Sequence, residues 1–212
     1  MDALVYGLAR EPFSVAPDPR FLYFSAQHRQ ALDTLLYGLQ RSGGFVLLTG
    51  EIGAGKTTVW RAFLEALPPQ TDVAYVGNPK LGVAPLLRRI CEELQVPLAE
   101  EGPDLIDALH GHLLLAHGAG RRTLIAVDEA QALSFDVLET LRLLTNLETS
   151  EHKLVQVLLI GQPELRDMLA MPELESVAQR IVARFHLERL SRSGTRRYIA
   201  HRLAVAGHNG PP

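Results

Sequence analysis

The sequence predicts an α/β fold, with a central parallel sheet covered by helices on both faces to give three layers. Two observations carry the prediction. Short apolar runs of strand length alternate with amphipathic stretches of helical period, and such alternation closes into a parallel, doubly wound sheet. The run at residues 45–48 also ends in "TGEIGAGKTT", a glycine-rich corner that opens a helix. With 212 residues, 47% of them hydrophobic and 21% charged, the chain can bury one sizeable core and begin a second unit.

The elements follow in order. The first 25 residues hold Pro12, Pro17 and Pro19 among aromatics and read as an extended, ordered arm that docks on something. Ser25 caps a helix from residue 26 to about 39, in which Leu32, Leu35, Leu36 and Leu39 recur at helical spacing before "RSGG" ends it. Residues 45–48 form the first strand and 58–67 the first crossover helix, where Trp60 packs. Beyond "PPQ", "DVAYVGNP" is a second strand, and residues 83–94 and 103–117 are amphipathic helices around "AEEGPD". Residues 124–127 are a third strand, apolar throughout as burial on both faces requires. A leucine-rich helix over 135–147 follows, then a fourth strand in "KLVQVLLIGQPEL" ending at Ile160, and Pro163 opens a further helix. From Glu173 the chain reads as a helix, a short strand over 182–187 and a last helix from about 194 to 206. That helix cannot bury its apolar face alone, so it docks on the sheet domain or belongs to a helical lid. The expected units are an arm (1–25), an α/β domain (26–190) and the beginning of a lid (191–212).

Four motifs carry chemistry. In G-x-x-x-x-G-K-T, a loop without Cβ atoms wraps its backbone N–H groups around phosphate oxygens while the next helix points its positive end at the same anion. Gly50, Glu51, Ile52, Gly53, Ala54, Gly55, Lys56, Thr57 and Thr58 are the candidate phosphate-binding residues. Lys56 supplies a charge for the β- and γ-phosphates and Thr57 a Mg²⁺ ligand. "LIAVDEA" delivers Asp128 and Glu129 to the carboxyl end of a strand, where open α/β sheets bind ligands. Asp128 is placed to hold Mg²⁺ and Glu129 to polarise an attacking water; alone, the pair would read first as a cap for the next helix, and it is the glycine loop on the same sheet edge that favours the chemical reading. In "LLIGQPEL", Gln162 leaves the strand beside the acidic one, its amide either contacting the γ-phosphate or the water, or serving the turn before Pro163. A glutamate that orients water, with no second substrate pocket in evidence, favours hydrolysis. In "QRIVARF", Arg180 and Arg184 lie one helical turn apart, and either reaches a neighbouring subunit's γ-phosphate as an arginine finger or both form a solvated basic face.

The remaining features exclude more than they assign. A net charge of −3 provides no overall field for nucleic acid, which is not a favoured partner. The single cysteine, Cys91, sits in a helical apolar pattern as a core residue, so no disulfide framework exists. Neither a membrane-length apolar run nor a signal core is present, and a cytosolic chain is expected over this stretch. His110, His112 and His117 invite a metal site, but His110 and His112 point in different directions on a helix and no cysteine or carboxylate cluster completes a ligand set. Arg121 and Arg122 are expected to be solvated loop charge.

These segments resemble a known family. "FSVAPDPRFLYFSAQHRQALDTLLYGLQRSGGFVLLTGEIGAGKTT", "VDEAQAL", "LRLLTNLE", "KLVQVLLIGQPEL" and "QRIVARFHLERLS…TRRYIAHRLAVAG" look like the ExeA/GspA-type ATPases of the general secretion pathway, a branch of the AAA+ superfamily. The resemblance covers nearly the whole chain and implies a P-loop NTPase with a RecA-like core and an α-helical lid. It implies Mg-dependent ATP hydrolysis, an ATP-dependent homo-oligomer and partners among envelope secretion, pilus or polysaccharide-export components. By it Lys56, Thr57, Asp128 and Glu129 carry over as ATPase residues, Gln162 as a sensor-like group and Arg180 as the finger, with residues 21–28 lining the adenine side. It also implies a location at the inner face of the cytoplasmic membrane through partners or further segments, since family members continue into a transmembrane helix and a peptidoglycan-binding domain while this chain stops inside the lid. The rival readings are a DNA-transposition ATPase of the TniB/IstB type and a non-hydrolysing nucleotide switch.

Overall fold

A computed structural model describes residues 8–13, 19–41, 43–77, 79–98, 104–150 and 152–207. Five strands, β1 (Gly44–Gly50), β2 (Thr71–Val76), β3 (Arg122–Val127), β4 (Val155–Gly161) and β5 (Ile181–Leu187), form one all-parallel sheet in the order β2-β3-β4-β1-β5. The helices are α1 (Ala26–Gln40), α2 (Lys56–Ala66), α3 (Val83–Glu93), α4 (Leu105–Gly118), α5 (Phe135–Leu144), α6 (Glu164–Leu169), α7 (Glu175–Ala178) and α8 (Arg192–Val205).

The two-residue period of β1 explains the three layers. Phe45 and Leu47 face a core built with α3 to α7, whereas Val46 and Leu48 face a second core built with α1 and α2. Both faces of β1, β3 and β4 are therefore buried, which is why these strands are apolar over most of their length. Cys91 is wholly buried in the first of these cores, and burial pushes its thiol up. Trp60 packs in the second, as the sequence predicts, with Phe63 and the face of Tyr75. No helix among the described residues is long and apolar enough to cross a membrane.

Four expectations are corrected or sharpened. Arg180 and Arg184 do not share a helix: α7 ends at Ala178, and Ala183, Phe185 and Leu187 pack on one core at a strand period that overrides the helical spacing of "QRIVARF". Arg121 is not solvated loop charge but pairs with Asp72 at 3.0 Å, and Arg122 is the exposed first residue of β3. The leucine helix stops at Leu144, where Thr145 caps it and its hydroxyl donates to Arg142 O. The last helix docks on the arm: Leu8, Phe21 and Ala206 form a small core of their own, Ala9 N–H donates to Ala206 O (2.8 Å), and Tyr198 lies between Phe13 and Tyr23. The Arg202 guanidinium covers Phe21 at 5.0 Å and donates to Pro12 O. An amphipathic helix needs an apolar partner, and the aromatic arm supplies it. Readings that fell on residues 1–7, 14–18, 99–103 and 208–212 lie outside the described residues.

Candidate nucleotide site

The strand order places three motifs along one sheet edge. β1 ends at Gly50 and feeds the glycine loop, β3 ends at Val127 before the acidic pair, and β4, which runs between them, ends at Gly161 before Gln162. This carboxyl edge is where parallel α/β sheets bind ligands.

The loop is exposed from Glu51 to Gly53, with Ile52 77% exposed, and α2 starts at Lys56 with Thr57 exposed in its first turn. Gly53 and Gly55 have φ of +77° and +100°, so the loop turns where L side chains are strained. A Cβ on Gly53 would meet nothing within 4 Å, whereas one on Gly55 would lie 2.5 Å from His28 Nε2. The ammonium of Lys56 donates to Gly50 O (2.7 Å) and Glu51 O (3.1 Å), and it has no ion pair among the described residues. An exposed glycine loop, a helix start and a lysine with no ion pair among the described residues fit a triphosphate.

His28 ties this loop to α1. Ser25 N–H donates to His28 Nδ1 (3.2 Å) and His28 N–H donates to Ser25 Oγ (3.3 Å), a reciprocal cap. Because Nδ1 accepts, the ring proton is on Nε2, which donates to Ala54 O at 3.2 Å. The ring is buried, so this bond is not traded with water. Replacing His28 by Ala is expected to lower the thermal midpoint and weaken nucleotide affinity about tenfold, with partial rescue of affinity by Gln, whose amide also donates. Calorimetric titration and a melting curve check it, and unchanged affinity in the alanine variant would remove the tie.

The acidic pair is held from several sides. Asp128 Oδ1 accepts the Glu129 N–H (2.8 Å) and Oδ2 accepts the Tyr75 hydroxyl (3.0 Å), with Tyr75 itself stacked on Trp60 at 5.4 Å. Burial first, then the neighbouring carboxylates, push the Tyr75 hydroxyl up to about 12, so it stays a donor. Asp128 has no cationic side chain paired with it among the described residues and retains acceptor capacity for Mg²⁺.

Glu129 takes φ +51°, a left-handed conformation that costs on the order of 1 kcal/mol in a non-glycine residue. That turn brings its Oε2 to Gln131 Nε2 (2.6 Å) and Gln162 Nε2 (3.2 Å), while Gln131 Oε1 accepts the Gln162 N–H (3.0 Å). Both amides grip one oxygen, leaving Oε1 for a water. They hold the carboxyl below its usual range, the Gln131 bond contributing most, then Gln162, with Lys56 adding to it. Gly161 makes the clamp feasible, because a Cβ there would lie 2.8 Å from Gln131 Oε1 and 2.9 Å from Leu165 Cδ2.

Lys56, Thr57, Asp128, Glu129 and Gln162 therefore gather at one edge. Arg180 does not join them. Its carbonyl accepts the Phe45 N–H (2.9 Å), so it sits at the opposite end of β1 from Gly50, roughly 17 Å of extended strand away. Arg184 pairs in register with Leu47 on β5 and lines a separate cavity with Thr49, Arg166 and Asp167. Sequence reading missed Gln131, His28 and Tyr75. The S-x-x-H spacing at Ser25 marks the cap, and "DEAQ" places an amide within one tight turn of the acid, whereas nothing local points to Tyr75.

Sheet order, glycine loop and acidic strand end define a P-loop NTPase of the AAA class. Residues 39–169 match the AAA domain family, and the chain belongs to it. It is 53% identical over 204 residues to general secretion pathway protein A of Aeromonas hydrophila, covering 95% of this chain and 37% of that relative's length, which bears out the resemblance read from the motifs. Among solved structures it is similar in fold to Cdc6p from Pyrobaculum aerophilum (TM-score 0.68, 16% identity, 96% of this chain and 54% of that one). It is likewise similar to the Aeropyrum pernix ORC2 protein in its ADP form (TM-score 0.62, 19% identity, 92% and 55%).

Proposed function

We propose that the chain binds ATP with Mg²⁺, hydrolyses it, and uses the nucleotide state to change its assembly with further copies and so drive assembly or export at the bacterial cell envelope. The observation that carries the hydrolase reading is the Glu129 carboxylate, gripped through one oxygen by two glutamine amides beside the glycine loop. A nucleotide switch has no need of a carboxylate oriented in this way. The backbone from Gly50 to Thr58 cradles the phosphates, Lys56 neutralises them, Gln162 and Gln131 fix Glu129, and Glu129 orients the water. Thr57 and Asp128 would hold Mg²⁺, which supplies charge neutralisation at the phosphate oxygens. The envelope part of the reading rests on the likeness to the Aeromonas protein, of which this chain spans about a third. Release of phosphate from ATP, measured with and without Mg²⁺, tests the hydrolase; no turnover in any assembly state would favour the switch.

Arg180 lies too far from its own loop to act there, so we assign it to a neighbouring subunit's γ-phosphate. Neither Arg180→Ala nor Glu129→Gln subunits alone should turn over ATP. Mixing them should restore part of the rate, because some interfaces then pair an intact Arg180 with an intact Glu129. Absence of rescue at every mixing ratio would leave Arg180 without this role.

A further inference from the structure

At the amino ends of β1, β3 and β4, the end of the sheet opposite the glycine loop, lies a cleft of about 310 Å³. Arg41, His117, Arg121, Arg122, His152 and Lys153 line it, and no carboxylate does among the described residues, in a chain whose net charge is −3. Two of these cations are compensated from outside the lining: Arg121 by Asp72 at 3.0 Å and Lys153 by Glu148. The other two have no ion pair among the described residues. Arg41 rests on the Tyr37 ring, 4.8 Å from its centre, and donates to its hydroxyl, contacts that leave the charge uncancelled. Arg122 is exposed, with no ion pair to its side chain among the described residues. The imidazoles of His117 and His152 lie 5.4 Å apart and add N–H donors. Two buried polar atoms here lack partners, the donor Arg121 Nε and the acceptor Gln156 Oε1. Gln156 is 5% exposed and lines the cleft, its Nε2 held by Gly44 O at 3.0 Å. Unsatisfied buried groups are destabilising unless a ligand or water completes them.

We propose that this cleft binds the dianion of a phosphate monoester. Two uncompensated guanidinium groups match a charge of roughly −2, and their planar forks suit phosphate oxygens. Arg121 Nε adds a buried donor, and Gln156 Oε1 accepts from a ligand hydroxyl or a water accompanying it. The volume lies near the lower limit of small-molecule pockets, roughly 300 to 1,000 Å³, so the fit is to a headgroup-sized molecule rather than a polymer. The site is separate from the glycine loop and does not rest on the ATPase reading.

The test titrates the protein, saturated with ADP and Mg²⁺, with inorganic phosphate and with glycerol 3-phosphate by calorimetry at fixed ionic strength. The titration is repeated in Lys56→Ala, which removes any signal from the glycine loop whichever way the nucleotide reading falls. A parallel arm sediments the protein with phosphatidylcholine vesicles with or without phosphatidic acid. Saturable binding is expected in the soluble arm, weakened about tenfold for each arginine replaced and so about a hundredfold in Arg41→Gln/Arg122→Gln, with ADP affinity unchanged. Binding only to phosphatidic acid vesicles, lost in the same variant, would support the site and make a lipid the source of the phosphate. No saturable binding in either arm overturns the proposal. So does an equal loss in Arg192→Gln/Arg196→Gln, which removes the same charge from the exposed start of α8.

Discussion

Lys56→Ala is expected to abolish measurable ATP binding while the fold stays intact. The ammonium holds Gly50 O at 2.7 Å and Glu51 O at 3.1 Å and has no ion pair among the described residues, so its charge is available to the β- and γ-phosphates. Two charge-assisted hydrogen bonds lost to phosphate amount to roughly 3–6 kcal/mol, a hundredfold or more in Kd. The folded apo protein loses much less. Glu51 is exposed and the loop can rehydrate its carbonyls, so the change in stability should stay within about 1 kcal/mol, or roughly 2–4 °C in the melting midpoint of a chain this size. Calorimetry with ATP and a melting curve separate the two quantities. An affinity equal to that of the parent protein would contradict a triphosphate at this loop, and a large fall in melting temperature would recast Lys56 as a structural residue.

Much of this site is legible from local text because its parts sit at strand ends. Apolar runs locate β1, β3 and β4 within a few residues, since burial on both faces makes polar positions costly and leaves only Thr49, Thr123 and Gln156 as buried polar residues in them. Where those runs stop, Lys56, Asp128 and Gln162 follow, and a parallel sheet brings its carboxyl ends together without further information. Three things were not legible. The strand over 182–187 is read correctly as β5, but with only Ala183 and Leu187 buried in it, the four-residue spacing of Arg180 and Arg184 still reads as one helical turn. Neither the arm nor α8 has a partner of its own, and the contact between Phe21 and Ala206 joins residues nearly the whole chain apart. The clamp on Glu129 depends on its left-handed φ, a backbone choice that no residue-type pattern announces at a glutamate.

His28 and the arm give these contacts a common consequence. The arm packs on α8 through Phe21, Tyr23 and Arg202, then enters α1 at Ser25, and three residues later the ring of His28 bonds the glycine loop. The last helix is thus joined to the glycine loop by two routes: the arm and His28, which end at Ala54 next to Gly55, where no Cβ fits, and β5, whose Leu187 pairs with Gly50 shortly before α8 begins.

Glu129→Gln should leave ATP affinity within a few-fold of the parent and lower the hydrolysis rate by about 10²- to 10⁴-fold, the range for loss of a positioned acid or base. The size and shape of the side chain are kept, so binding by the loop is not disturbed. What is lost is a charged acceptor for the attacking water. The carboxyl lies below its usual range because amide donors favour its ionised form, which makes it a weak proton acceptor near neutrality. Its contribution is therefore to orient and polarise water through the free Oε1, which suits a loose phosphoryl transfer that needs little proton removal in the transition state. The sign of the pH dependence follows. Activity requires the ionised form, so the rate should stay level as pH falls towards the ordinary carboxylate range and drop only below it. Gln131→Leu, which deletes the leading donor, should move that acid limb upward in pH. A pH–rate profile of both proteins checks the shift. An unchanged limb would detach the clamp from catalysis, and undiminished turnover by Glu129→Gln would remove Glu129 from the mechanism.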